Sequence, residues 1–318
     1  MRKFLFEAEY ADAMEKEILP ALRAVRQEGT FAGYDGAPLF YVRYTAREPR
    51  GTVLIIHGLN ESTEKYAEMI YYLLREGLSV LIYDQRGHGR SARAVRRGLT
   101  HIDRFDEYVE DALCCIKGPL AGCPSPYYLF GHSMGGAVAA FSLERGDHPF
   151  QKAVLSSPMI QSFRYPLIPP CLVRGLCRLI TTLGGGKKRV FVLKEPTGQE
   201  DFAKSCALSP TRFAAYAALR REDPRYLGGA VTFGWVATSM GVTKRLLKKG
   251  APERITIPVR LYAAELDHLV EEKPQRRFIA RTPKGEFILV KGSKHEIFAA
   301  SDNILHPYLD SMISFFEG

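Results

Sequence analysis

The sequence lacks the features that would tie it to a metal, a membrane span or a disulfide scaffold. Six cysteines occur in 318 residues (Cys114, Cys115, Cys123, Cys171, Cys177 and Cys206), and none forms a Cys-x-x-Cys pair. No histidine stands at zinc-finger spacing from them, so neither a metal site nor any other cofactor is expected. No apolar run is long enough to span a bilayer. The opening residues, Met1 to Glu7, hold no long apolar stretch and meet an acid at position 7. No signal peptide is expected, and the expected compartment is the reducing cytoplasm. Internal repeats and low-complexity tails are also missing. What remains is an ordinary globular composition, 46% hydrophobic and 25% charged, long enough for one large α/β domain or two modest ones.

Acids are scarce in one region. Residues 158–250 hold 16 Lys and Arg against 5 Asp and Glu, a balance of +11 in a chain whose net charge is +9, so the remainder carries −2. A solvated basic face is the plain reading of such a bias. The sharper one is attraction to an anionic lipid surface or an anionic substrate, with peripheral contact to the inner face of a membrane. Nucleic acid is not expected, because no binding motif for it accompanies the charge.

The same region breaks the rhythm of the chain. Residues 10–27 read as an N-terminal helix, and a hairpin follows around Asp35-Gly36. Continuous apolar runs at 51–56, 78–83, 125–130 and 152–156 read as buried strands, with helices between them at about 62–75 and 105–116. From 158 to 250 the sequence offers helices near 210–221 and 231–249 and no buried strand. Strands resume at 258–263 and 287–290, followed by a last helix at about 301–317. This alternation predicts a mostly parallel, doubly wound α/β sheet built from residues 1–157 and 251–318, with an inserted α-helical cap at 158–250.

The chemistry gathers around Gly131-His132-Ser133-Met134-Gly135-Gly136. A strand precedes it and a helix follows, the context of a nucleophile elbow. Glycine supplies the tiny residues that so tight a turn demands. A bare Gly-x-Ser-x-Gly can arise by chance; the strand and helix around it are what raise its value. Serine is a poor nucleophile at neutral pH and needs a base, which needs an orienting acid. Downstream of Ser133 the histidines are His148, His268, His295 and His306. His295 lies in a loop just past the last strand and is the expected base. His148 comes too early, His306 falls inside the last helix, and His268 neighbours the acid. Asp267, in the loop after the strand at 258–263, is the expected acid, with Glu265 its competitor. Backbone N–H groups of Leu59 and Met134 are expected to hold the oxyanion, and His57 is expected to be a structural hydrogen-bonding residue.

These residues together resemble the α/β-hydrolase superfamily and, within it, the bacterial lysophospholipase and monoacylglycerol lipase group. The resemblance runs from about residue 30 to the end and is weakest across 158–250. It rests on His57-Gly58-Leu59-Asn60-Glu61 with Lys65-Tyr66, on Tyr83 to Ser91, on the elbow, on Asp267 with Val270, and on His295-Glu296. Ala264 departs from the glycine many relatives carry. Arg104 to Val109 and Phe233-Gly234-Trp235 look more like the lysophospholipase branch. The resemblance implies ester hydrolysis through an acyl-enzyme, on a small lipid-like ester. A capped serine peptidase or an esterase of small soluble substrates is the alternative; the poverty of acids in the cap weighs against a site for a free α-amine. A non-catalytic receptor has no need of all three of Ser133, Asp267 and His295, and a dehalogenase would need Asp at the elbow. An apolar stretch from Phe163 to Ile180, interrupted by Arg164, Arg174 and Arg178, is expected either to pack on the sheet domain or to act as an amphipathic lid.

Overall fold

The computed structural model describes residues 2–161 and 168–318. Phe163, Arg164, Tyr165 and Leu167, the first part of the expected lid stretch, lie outside the described residues.

Eight strands form one sheet: β1 (Arg26–Ala32), β2 (Pro38–Tyr44), β3 (Gly51–Ile56), β4 (Leu78–Tyr83), β5 (Tyr127–His132), β6 (Phe150–Ser156), β7 (Val259–Ala264) and β8 (Gly285–Val290). Their spatial order is β1-β2-β4-β3-β5-β6-β7-β8. β2 pairs antiparallel with β1 and β4, and every other pairing is parallel. β3 and β4 are buried along their whole length. That is the expected consequence of covering both faces of a parallel sheet with helices. Alternate side chains of β3 then serve different cores. Leu54 and Ile56 pack with Tyr108, Val109 and Val138, whereas Val53 and Ile55 pack with Ile70, Leu309 and Met312.

The expected N-terminal helix is present as a helical stretch from Tyr10 to Val25 and ends where β1 begins at Arg26; the helices after it are α1 (Ala67–Arg75), α2 (Asp106–Lys117), α3 (Met134–Glu144), α4 (Pro170–Ile180), α5 (Pro210–Glu222), α6 (Phe233–Ser239), α7 (Val242–Leu246), α8 (Glu272–Ile279) and α9 (Asp302–Glu317). α4 to α7 all fall between β6 and β7. The helix expected over 231–249 is two, parted at Met240-Gly241, where glycine is a weak helix former. Ahead of α6, Ala230–Val231 pairs in parallel with Leu99–Thr100, a short bridge the periodicity does not signal. The helical start at Thr63 has no side-chain cap; the Thr63 N–H donates instead to Asp84 Oδ1 at 2.7 Å, from the loop after β4.

This topology brings four loops to the carboxyl ends of adjacent strands: 57–62 after β3, Ser133 after β5, 265–270 after β7 and 291–296 after β8. That edge is where open α/β sheets hold their ligands. Among the described residues no helix is long and apolar enough to cross a membrane.

Candidate active site

Ser133 is the cap residue of α3 and has φ 51° and ψ −118°, a conformation a non-glycine residue rarely adopts. The surroundings hold it there. Its N–H donates to Ser156 O at 3.1 Å, and its carbonyl accepts from Met159 N–H at 2.8 Å. The glycines are required by close approach. A Cβ on Gly135 would stand 2.1 Å from Ile56 O and 2.4 Å from His57 O, and one on Gly131 would stand 2.8 Å from Gly135 O. The strand thus runs straight into the helix, and Met134, the first helical residue, keeps an N–H with no intrahelical acceptor. Ser133 stays half-buried at the mouth of the turn.

His295 Nδ1 lies 2.6 Å from Asp267 Oδ2. Asp267 also accepts the N–H groups of Leu269 (2.8 Å) and Val270 (3.0 Å) through Oδ1. Burial opposes its ionisation, but the hydrogen bond and charge of His295 and the two backbone donors outweigh burial and hold its carboxyl below the usual range. With Nδ1–H engaged by the carboxylate, Nε2 is the basic nitrogen. It is buried and has no hydrogen-bond partner among the described residues. Ser133 and His295 line one cavity of about 800 Å³, together with Leu59, Met134, Met159 and Val270.

The rival residues have other partners. Glu265 Oε2 accepts the Gly292 N–H at 2.8 Å and braces the loop that carries His295. His306 Nε2–H donates to Leu5 O at 2.9 Å. His148 stacks on Phe150 with ring centres 5.8 Å apart, and His268 Nε2 stands 3.9 Å from Cys206 Sγ.

The loop after β3 is held from several sides. Gln85 N–H donates to His57 Nε2 at 2.9 Å, which puts the His57 proton on Nδ1, and Nδ1–H donates to Gly58 O at 2.7 Å. Burial pushes His57 below its ordinary pKa, so it is a neutral strut. Asn60 takes φ 61°, and Glu61 Oε2 accepts the Gly58 N–H at 2.6 Å. These contacts set the backbone of Leu59 at the rim of the cavity. The next loop, Asp84 to Ser91, is structural throughout: Arg86 forks onto Asp111 (2.9 Å to each oxygen) and reaches Asp35 at 2.8 Å.

Two groups near the serine carry no strong signal in the sequence. His132 lies with its ring centre 4.9 Å from that of His295. Burial pushes it down to about 3 against the pull of the Glu61 carboxylate, so it is neutral at working pH. Its Nδ1–H donates to Ser156 O at 3.1 Å. Tyr216 of α5 and Leu193 also line the cavity, and only their apolar character in the basic region hinted at them. The N-terminal helical stretch contributes Tyr10, Met14 and Leu22 to the same cavity.

An eight-stranded, mostly parallel sheet with a strained serine elbow at the end of β5 and a carboxylate–histidine pair on the loops after β7 and β8 defines an α/β-hydrolase. Residues 47–302 match the family described as serine aminopeptidase, S33, and the chain belongs to that family. It is 29% identical over 314 residues to lysophospholipase L2 of Escherichia coli strain K12, covering 92% of this chain and 88% of that one. It is 26% identical to monoacylglycerol lipase of Mycolicibacterium smegmatis over 279 residues, 86% of this chain and 92% of the relative. In fold it is similar to a soluble variant of monoglyceride lipase from Saccharomyces cerevisiae solved with a substrate analog, with TM-score 0.74, 21% identity and coverage of 92% and 94%.

Proposed function

We propose that this ester-hydrolysing serine hydrolase cleaves lysophospholipids or monoacylglycerols, with Ser133 as nucleophile, His295 as base and Asp267 as the acid that orients it. In this reading His295 Nε2 takes the Ser133 proton as Oγ attacks the ester carbonyl. Asp267 fixes the tautomer and stabilises the imidazolium. The N–H groups of Leu59 and Met134 receive the oxyanion, the alcohol leaves with the proton from His295, and water cleaves the acyl-enzyme by the same route. The observation that carries this reading is the 2.6 Å contact of His295 with Asp267, which leaves an unpartnered Nε2 in the cavity that also holds Ser133. Labelling with a fluorophosphonate probe tests it. Modification at Ser133, abolished by Ser133→Ala, is the expected result; labelling that survives this substitution overturns it.

The family description names an aminopeptidase, but the acids around the cavity favour an ester. Glu61 and Glu296 share Lys65, Glu64 pairs with Arg26, Glu68 with Arg212 and Glu200 with Arg220. Each of these five carboxylates already has a cation, which weighs against their receiving a free α-amine; Glu222, exposed at the end of α5, also borders the cavity.

We also propose that residues 158–250 act as the cap and that α4 meets an anionic lipid surface. Ile168, Leu172, Leu176, Leu179 and Leu183 recur along one side of the helix and its extension, and all are exposed. Arg178, Lys187 and Lys188 are exposed beside them. Apolar side chains at the acyl boundary with arginine and lysine at headgroup depth is the arrangement of an interfacial helix. Sedimentation with phosphatidylglycerol vesicles checks this: salt-sensitive binding is expected, and no binding at either low or high salt rules it out.

A further inference from the structure

The loop after β3 and the loop after β8 are joined by charges that the acyl-transfer steps leave unused. Lys65 is almost fully buried, and its ammonium donates to Glu61 Oε1 at 2.9 Å and to Glu296 Oε1 at 2.6 Å. Glu61 follows Leu59 by two residues, and its other oxygen accepts the Gly58 N–H (2.6 Å) and the Tyr66 hydroxyl (2.6 Å). Glu296 is the residue after His295, and its N–H donates to Cys206 O at 3.0 Å. The Lys65 ammonium also lies over the rings of Tyr216, 5.2 Å away on α5, and Phe298, 5.5 Å away. Two carboxylates on separate loops therefore converge on one cation beneath the candidate site.

We propose that Lys65 is a positioning residue that fixes the loop of His295 against the loop of Leu59, and that the Glu61–Lys65–Glu296 trio sets the charge felt by the His295 imidazole. This rests on the triad reading given above. The trio carries a net charge of −1. Glu61 Oε1 stands 3.7 Å from His132 Nε2, and the His132 ring centre is 4.9 Å from that of His295, so His132 neighbours both. The other titratable groups facing this cluster are Asp267, which bonds His295, and the Cys206 thiol, which burial pushes up to about 12 and which stays neutral. His268 lies beyond that thiol.

Removing the cation leaves two carboxylates near the imidazole, whereas neutralising Glu296 leaves none in excess. The two changes push the histidine in opposite directions, a signature that mere loosening of the fold does not produce. The test measures p-nitrophenyl butyrate hydrolysis against pH, reading the acid limb of kcat/KM, which reports the free enzyme's base. Lys65→Met is expected to lower kcat about tenfold to a hundredfold through misplaced loops. It should also move the acid limb up by about one pH unit. Lys65→Arg restores most of kcat and returns the limb. Glu296→Gln, at the half-buried rim, moves the limb down. An unshifted limb in Glu296→Gln, or a shift in the same direction as Lys65→Met, overturns the proposal, and it does so even where Lys65→Met fails to fold. Fluorophosphonate labelling runs alongside: a wild type unlabelled at Ser133 overturns the triad reading and this one together, and a labelled wild type with unshifted limbs overturns this one alone.

Discussion

The loops at the carboxyl edge of the sheet and helix α4 above them break the ordinary inside–outside rule in opposite senses. At the edge, Glu61, Lys65, Asp267 and His295 are charged or polar and buried. On α4, Leu172, Leu176 and Leu179 are apolar and exposed. The buried polar groups hold their positions because each satisfies another, and an unpaired partner there would carry a large desolvation cost. The exposed leucines have no such partner among the described residues. The edge is therefore a preorganised region whose residues are fixed relative to one another, while α4 presents a surface whose complement comes from outside. α5, within the insertion, is tied to the core by ion pairs. Arg212, buried, donates to Glu68 Oε2 at 2.8 Å and to Asp302 Oδ1 at 2.9 Å.

The contrast can be broken from the edge first. Ser133→Ala should lower kcat on a p-nitrophenyl ester by about four orders of magnitude or more while thermal unfolding stays within ~2 °C of wild type. Substantial retained turnover would falsify the nucleophile assignment. Gly135→Ala comes next, because its Cβ would collide with the carbonyl oxygens of Ile56 and His57. A loss of stability above about 3 kcal/mol is expected in urea unfolding, with activity lost in step. An unchanged unfolding midpoint would mean that the elbow is looser than the contacts imply.

Arg212→Met tests the junction of α5 with the core. It strands the buried Glu68 carboxylate, takes a partner from the half-buried Asp302, and should cost about 3 kcal/mol, read by the same unfolding experiment. A smaller effect arises at the back of α3, where burial raises Glu144 to about 7 despite Arg254 and Arg245. A carboxyl with a raised pKa stabilises the fold fully below its unfolded value and loses that contribution as pH climbs through the folded one. Stability should thus fall between about pH 4.5 and 7 on account of this group, and Glu144→Gln should raise the midpoint of thermal unfolding at pH 8 by about 2 °C and leave it nearly unchanged at pH 5. An equal gain at both pH values would remove ionisation as the cause. The smallest effect on stability belongs to Leu176→Ser with Leu179→Ser: within about 0.5 kcal/mol, since neither leucine is buried. Binding to anionic vesicles should nevertheless drop several-fold, and unaltered binding would leave α4 with no special claim to the lipid surface.

Much of the sheet was legible because each buried strand is a continuous apolar run bounded by turn residues, and the expected buried strands differ from the observed ones by at most two residues at their ends. The region 158–250 was legible only as helical and basic. Its short bridge at Ala230–Val231 and the break at Gly241 follow from contacts with distant segments, which no local pattern encodes. The elbow and the loops of Asp267 and His295 stood out because glycine spacing and chain order are linear properties. The Lys65 trio did not, since three ordinary surface-type residues become one largely buried cluster, with Glu296 at its half-buried rim, only when residues 61, 65 and 296 meet.

The sequence by itself determined the sheet, the elbow and the order of residues along the chain, because apolar periodicity and glycine requirements act over short distances and leave their record locally. Only the tertiary structure decided that Asp267 and not Glu265 faces His295, that Glu61 and Glu296 share one lysine, and that the leucines of α4 point away from the core. Those outcomes depend on which loops the assembled sheet brings together and on which face of a helix finds a partner, and through-space distances between residues far apart in sequence have no expression in the linear order.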